Sequence, residues 1–122
     1  MTNVFADQKK FMEACGQSTN HYNGVQYDMY CALIEEEVAE LQEAIDADNE
    51  IEALDALIDI LVVTVGAIHS MGADGEGAWN EVMRTNFAKI DPETGKVRKR
   101  DDGKVLKPEG WTAPDLKKFL AV

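Results

Sequence analysis

The sequence predicts an all-α protein, a four-helix bundle-type core followed by a short C-terminal β-hairpin arm. Three observations carry that expectation. Apolar residues recur at helical spacing through residues 25–90. Gly16, Gly72 and Asp91-Pro92 stand where helices should stop. Asp101-Asp102-Gly103 lies between two short runs, Val97–Arg100 and Lys104–Lys107, a hairpin signal.

Taken in order, Val4–Gly16 reads as a short amphipathic helix, with Val4, Phe11 and Cys15 at helical spacing. Gln17–Gly24 is a polar loop. Val25–Ala47 and Asn49–Met71 form a helical hairpin around a polar turn at Ala47-Asp48-Asn49. Ala73–Gly77 is a turn, and Gly77–Ile90 a fourth helix with Trp79, Val82, Met83, Phe87 and Ile90 on one side. Val97–Arg100 and Lys104–Lys107 are the expected hairpin strands, and Pro108–Leu116 an ordered arm. At 122 residues the chain suits a single domain, with a helical core over 1–90 and a basic arm over 91–122.

Charge is unevenly spread. The net charge is −11, yet residues 1–83 hold two basic and seventeen acidic residues, and residues 84–122 hold ten basic and six acidic. An acidic body argues against duplex nucleic acid as a partner, because phosphate contacts need a basic surface. The longest apolar run, Ile60–Ile68, is short of the ~20 residues that span a bilayer. Cys15 and Cys31 lack metal-motif spacing and read as core thiols in a reducing compartment, and the N-terminus shows no signal pattern. The expected setting is cytoplasmic, away from membranes.

The helical hairpin organises the rest. On its first helix Ile34, Val38, Leu41 and Ile45 form one apolar stripe. At about 100° per residue, Glu37 lies roughly 60° from the centre of that stripe, Glu40 roughly 120° and Glu36 roughly 160°. On the second helix Glu52, Asp55 and Asp59 fall within about 60° of one another, among enough Leu, Ile and Val that most of the circumference should be buried. A short turn centred near Asp48 sets Glu40 level with Asp55, Glu37 with Asp59 and Glu43 near Glu52. No Lys or Arg occurs between Lys10 and Arg84. Buried carboxylates without cations must be protonated or bind metal. Oxygen-only donors suit a hard cation, Mg²⁺ or Mn²⁺. The expected ligands are Glu37, Glu40, Asp55 and Asp59, with Glu52 as a further candidate, whereas Glu35, Glu43, Asp46, Asp48 and Glu50 read as solvated surface. A di-iron bundle is excluded by the lack of Glu-x-x-His pairs, and a calcium loop by Ile51 and Leu57 where Gly and Glu are needed.

Glu36-Glu37-Val38-Ala39-Glu40 matches the EExxE motif of the all-α nucleoside triphosphate pyrophosphohydrolases, the superfamily of MazG, phosphoribosyl-ATP pyrophosphohydrolase and the dimeric dUTPases. Glu81 through Lys89 resembles the ExxxxNxxK helix of the phosphoribosyl-ATP pyrophosphohydrolase-like branch. Gly103–Pro108 and Pro114-Asp115-Leu116 are similar to the tail of that branch. One departure concerns the second motif, ExxD. Glu52-Ala53-Leu54-Asp55 fits it literally with a short spacer, whereas Asp59-Ile60-Leu61-Val62 resembles the family's DVLY run and leaves Ala56 at the Glu position. Both registers stay open.

The resemblance implies cleavage of a nucleoside triphosphate to monophosphate and pyrophosphate, with dUTP, dCTP or a non-canonical nucleotide as candidate substrates. The altered ExxD keeps a second reading in play, a catalytically inactive nucleotide- or metal-binding module of the same fold. Under the catalytic reading Glu36, outside the ligand stripe but adjacent to it, is the expected general base for the attacking water. Asn86 and Lys89 would hold phosphate oxygens, and Arg98, Arg100, Lys104 and Lys107 would close over the triphosphate. Gln17 is a candidate reader of the base edge. His21 and His69 read as surface and helix-end residues, and Trp79 and Trp111 as packing residues. The apolar second hairpin helix is too large for one short chain to cover, so a homodimer or homotetramer is expected.

Overall fold

The computed structural model describes residues 3–121. It is all-α: α1 Val4–Ala14, α2 Gly24–Asp46, α3 Glu50–Ser70 and α4 Gly75–Phe87, with a single 3₁₀ turn at Lys117–Phe119. The helices begin and end where local chemistry requires. Asn3, Asn23 and Asn49 each accept a hydrogen bond from the backbone N–H three residues on, at Ala6, Gln26 and Glu52 (2.9–3.1 Å). These side chains satisfy N–H groups that the first turn leaves without partners. At the C-terminus of α2, Asn49 N–H reaches the Ala44 carbonyl and Asp48 N–H that of Ile45, at 2.9 and 3.1 Å. That double bond pattern needs a left-handed residue, and Asp48 supplies it at φ 56°. Asn49 thus closes one helix and opens the next, which keeps the turn short and fixes the pairing of α2 with α3.

Two compact units divide the chain, the first running to Gly75 and taking in the C-terminal end from Leu120, and the second Glu76–Phe119. Most of α4 therefore belongs with the arm, although the change in charge character falls later in the sequence. In the first unit Met12, Tyr30 and Ala67 form the buried cluster, with Tyr27, Leu33, Ile34 and Val63 packed on it. Gly66 is what lets α3 approach α2: a Cβ there would lie 2.3 Å from the Tyr30 ring. Beside this core, Gln26 Nε2 donates to Ser70 Oγ (2.8 Å) and to the Ser18 carbonyl (2.8 Å), tying the α1–α2 loop to the end of α3.

Two expectations about burial do not hold within one chain. Val38 and Ile45 are half exposed. The face of α2 turned to α3 instead carries Gln26, Tyr30 and Ala44, all buried, and Glu37 falls within about 40° of these three. The small partners on α3, Ala56 and Gly66, select that face, and the apolar stripe rotates to its flank. Likewise α3 is not buried around most of its circumference. Ile51, Leu54, Ile58, Leu61 and Val62 are exposed along one side, Ile51 by 80%.

The expected C-terminal β-hairpin is not formed. Among the described residues there is no strand, only isolated antiparallel bridges at Ile90–Val97 and Lys99–Val105. The turn itself is where the sequence places it: Gly103 has φ 86°, and its N–H donates to the Arg100 carbonyl (2.9 Å). What fails is the ladder. Backbone hydrogen bonds run from Arg100 N–H to the Lys104 carbonyl and from Leu106 N–H to the Arg98 carbonyl (both 2.8 Å), but they do not extend into a ladder, and a lone two-stranded ribbon is marginal in water. Among the described residues no helix is long and apolar enough to cross a membrane.

Candidate active site

The site of the first unit is an acid seam between α2 and α3. Because Glu37 shares the buried face of α2, it is half-buried, and its Oε2 atom is fully shielded without a hydrogen-bond partner. Burial, then hydrogen-bond and charge contacts with Glu40, then the charges of Asp59 and Asp55, push the Glu37 carboxyl up to about 7. Asp59 is raised as well, by burial first and then by the charges of Asp55 and Glu40. Glu37, Glu40, Asp55 and Asp59 are therefore neighbours on the seam. Towards the turn the seam opens into a cleft of about 380 Å³ lined by Glu40, Glu43, Ala44, Ala47, Asn49, Glu52, Asp55 and Ala56. Glu52 faces this cleft. Glu36 is exposed on α2, outside the seam.

A divalent cation fits this donor set. All donors are carboxylate oxygens, one buried oxygen is orphaned, and two carboxyls, those of Glu37 and Asp59, are pushed above their ordinary range by burial first and then by neighbouring acids. The side chains as they stand do not enclose a cation: among the described residues no three His, Cys, Asp or Glu side chains converge to hold a metal ion.

Gln17 lies in the same unit. Tyr30 donates its hydroxyl hydrogen to Gln17 Oε1 at 2.5 Å, which pins the loop to α2. His69 Nε2 meets the Phe5 carbonyl at 2.8 Å and is buried, a structural tie between α1 and α3. His21 is exposed beside Asn20.

In the second unit Lys89 Nζ donates to Asn86 Oδ1 (3.1 Å). The Lys89 and Lys107 ammonium groups stand 5.3 and 4.6 Å from the centre of one ring, that of Trp111. Lys104 belongs to the turn, its backbone N–H on Asp102 Oδ1 (3.0 Å), and Arg100 is paired with Asp102 (2.6 Å). Arg98 and Lys89 line a cavity of about 170 Å³. Glu81 accepts from Arg84 (2.7 Å) and from the backbone N–H of Asp115 (2.7 Å), and these partners hold its carboxyl down to about 2.

Sequence reasoning missed two contributors. Glu43, read as surface, lines the cleft; its spacing of three from Glu40 was the available signal. Trp111, read as packing, is the ring under both lysines, and no periodicity marks it. No curated protein matches the chain. A family model described as phosphoribosyl-ATP pyrophosphohydrolase matches residues 8–86, well over half of the chain and the whole of the acid seam, and the chain belongs to that family.

Proposed function

We propose that this protein is a divalent-metal-dependent nucleoside triphosphate pyrophosphohydrolase, converting a (d)NTP and water to a (d)NMP and pyrophosphate. The observation that carries this reading is Glu37: a shielded, partnerless carboxylate oxygen at the centre of four acids, with no cation on either helix. Glu37, Glu40, Asp55 and Asp59 would hold Mg²⁺ or Mn²⁺, with Glu52 next to them along the cleft. When bound, the cation neutralises phosphate oxygens and makes a water more acidic. Glu36, on the solvent side of the same helix, takes the proton from the attacking water at its carboxylate. Asn86 and Lys89, already hydrogen-bonded to each other, take phosphate oxygens, as do Lys107 and Lys104. The amide nitrogen of Gln17 is the group left to meet a base edge, since its carbonyl serves Tyr30. Candidate substrates are dUTP, dCTP and non-canonical nucleotides, in keeping with cleaning of the nucleotide pool.

The test is pyrophosphate release from a panel of ribo- and deoxynucleoside triphosphates, with Mg²⁺, with Mn²⁺ and with EDTA. Turnover that requires a divalent cation supports the reading; no release from any triphosphate refutes it.

The exposed side of α3 supports a homodimer or homotetramer. Ile51, Leu54, Ile58, Leu61 and Val62 form one stripe, and Ile58, Leu61, Val62 and Val65 border an apolar groove of about 220 Å³ against α1. A stripe of this length is more than a monomer ordinarily leaves in water. A single monomeric species by light scattering at micromolar concentration would refute it. The free thiols Cys15 and Cys31 fit a reducing, cytoplasmic setting.

A further inference from the structure

The second unit places two ammonium groups on one aromatic ring, and nothing in the seam accounts for them. Lys89 lies in the turn just past α4 and Lys107 in the arm. Their Nζ atoms lie 5.3 and 4.6 Å from the Trp111 ring centre, so they are within about 10 Å of each other. The ring is itself fixed, because Trp111 Nε1 donates to the Thr85 carbonyl of α4 at 2.7 Å. Among the described residues neither lysine has a carboxylate partner; Lys89 meets only the amide oxygen of Asn86, and Lys107 only the ring. Arg84 and Arg100, by contrast, are each paired with a carboxylate, on Glu81 and Asp102. The ring draws both ammonium groups to one place without supplying the counter-charge that either would take. A polyanion supplies it. Two separated ammonium groups match a chain of phosphates better than a single one, each donating to a different phosphoryl group.

We propose that Trp111 is a positioning residue that gathers Lys89 and Lys107 into a two-cation site for the phosphate chain, and that this site binds inorganic pyrophosphate without any metal. Its role as the resting place of the leaving pyrophosphate rests on the pyrophosphohydrolase reading above. The binding itself does not.

The experiment is calorimetric titration of the full chain with inorganic pyrophosphate in EDTA, where the acid seam has no cation with which to hold an anion. Lys107→Gln and Trp111→Leu should each weaken binding about fivefold, the scale of one solvent-exposed charge contact. Lys96→Gln, a basic residue elsewhere in the arm, should leave it unchanged. Trp111→Phe keeps a ring beneath the lysines and should retain more affinity than Trp111→Leu, which also guards against a simple loss of folding. Affinity should fall with added salt less steeply in Lys107→Gln than in the parent. The chain has two tryptophans, so Trp79→Phe leaves Trp111 as the sole indole, and its fluorescence should change on adding pyrophosphate. Unchanged affinity in Lys107→Gln or Trp111→Leu overturns the proposal, as does an equal loss in Lys96→Gln. Equal losses in Trp111→Phe and Trp111→Leu overturn the part assigned to the ring. A chain that hydrolyses no triphosphate yet shows these differences refutes the catalytic reading alone; a chain that hydrolyses triphosphates without them refutes the two-cation site alone.

Discussion

Glu37 and Glu81 are the same side chain on two helices, and their carboxyls are driven in opposite directions, to about 7 and to about 2. Glu37 is surrounded by burial and by other acids. Glu81 is surrounded by a guanidinium and a backbone N–H, with only 12% of its side chain exposed. The difference separates charge that is complete within the fold from charge that is not. The unit Glu76–Phe119 neutralises Glu81 internally. The acid seam has no such provision, since no Lys or Arg lies between Lys10 and Arg84. An acid held in that state is waiting for a proton or a cation. Two lysines on Trp111 are the converse, cations without an acid.

The sharpest way to break this contrast is at the level of turnover. Glu36→Gln should lower it by about 10²–10⁴, the contribution of a general base, while the rise in melting temperature on adding Mg²⁺ is kept. Glu40→Gln or Asp59→Asn should lower it on the order of 10²-fold and abolish that rise. Both should raise the melting temperature of the metal-free protein, because repulsion in the seam falls. Melting curves with and without Mg²⁺, run beside turnover, separate the two classes. If Asp59→Asn keeps full activity and Glu52→Gln loses it, the cation sits in the cleft nearer the turn, and the seam around Glu37 is a spectator. Next in size is Gly66→Ala. Its Cβ would meet the Tyr30 ring at 2.3–2.7 Å, so α3 must back away from α2. Overpacking of this kind costs about 1–3 kcal/mol, and here it also spreads the acids. Denaturant unfolding measures the first effect, and the Mg²⁺ concentration needed for half-maximal turnover the second.

The helices and the seam were legible because their causes are local and periodic. A repeat of Ile, Val and Leu marks each long helix, and the three-residue link Ala47-Asp48-Asn49 keeps the acids of α2 close to those of α3. The rotation of α2 was not legible. Val38 and Ile45 announce a core face, but which face is buried depends on where the small residues Ala56 and Gly66 fall on the other helix. A one-dimensional pattern does not contain that choice. The arm misled for a related reason. Its Asp101-Asp102-Gly103 turn matched a hairpin and is formed, yet the flanking residues make only isolated bridges, at Ile90–Val97 and Lys99–Val105. The Trp111 site depends on a hydrogen bond spanning 26 residues of irregular chain, with no period to betray it.

A smaller effect concerns metal-free stability and pH. Glu37 binds its proton more tightly folded than unfolded, where its value is near 4.5. The folded state therefore holds the extra proton between about 4.5 and about 7, and its stability is greatest below that window. As pH rises through it, metal-free stability should fall, and Mg²⁺ should cancel the fall. Melting temperatures from pH 4.5 to 7.5 in EDTA check the slope, which Glu37→Gln should flatten. A slope that persists in Glu37→Gln assigns it elsewhere in the seam.

The smallest expected effect is at Glu81, and its sign is opposite. Its carboxyl ionises more readily folded than unfolded, so the stabilisation it gives is present above the unfolded value of 4.5 and lost as pH falls towards about 2. Glu81 connects α4 to the Pro114-Asp115-Leu116 segment through the Asp115 N–H, and it orients Arg84 at the same time. Glu81→Gln keeps an oxygen that can accept from Asp115 but loses the charge that holds Arg84. The change should leave α1–α3 untouched and loosen the arm. Amide exchange at Asp115 and the rate of proteolytic cleavage within 108–119 should both rise at pH 7, where the parent carboxylate is fully ionised. Below the pH at which the parent protonates, parent and variant should converge. A Glu81→Gln chain as protected as its parent at pH 7 would show that the second unit does not depend on its internal neutralisation, and the contrast with Glu37 would then be one of burial alone.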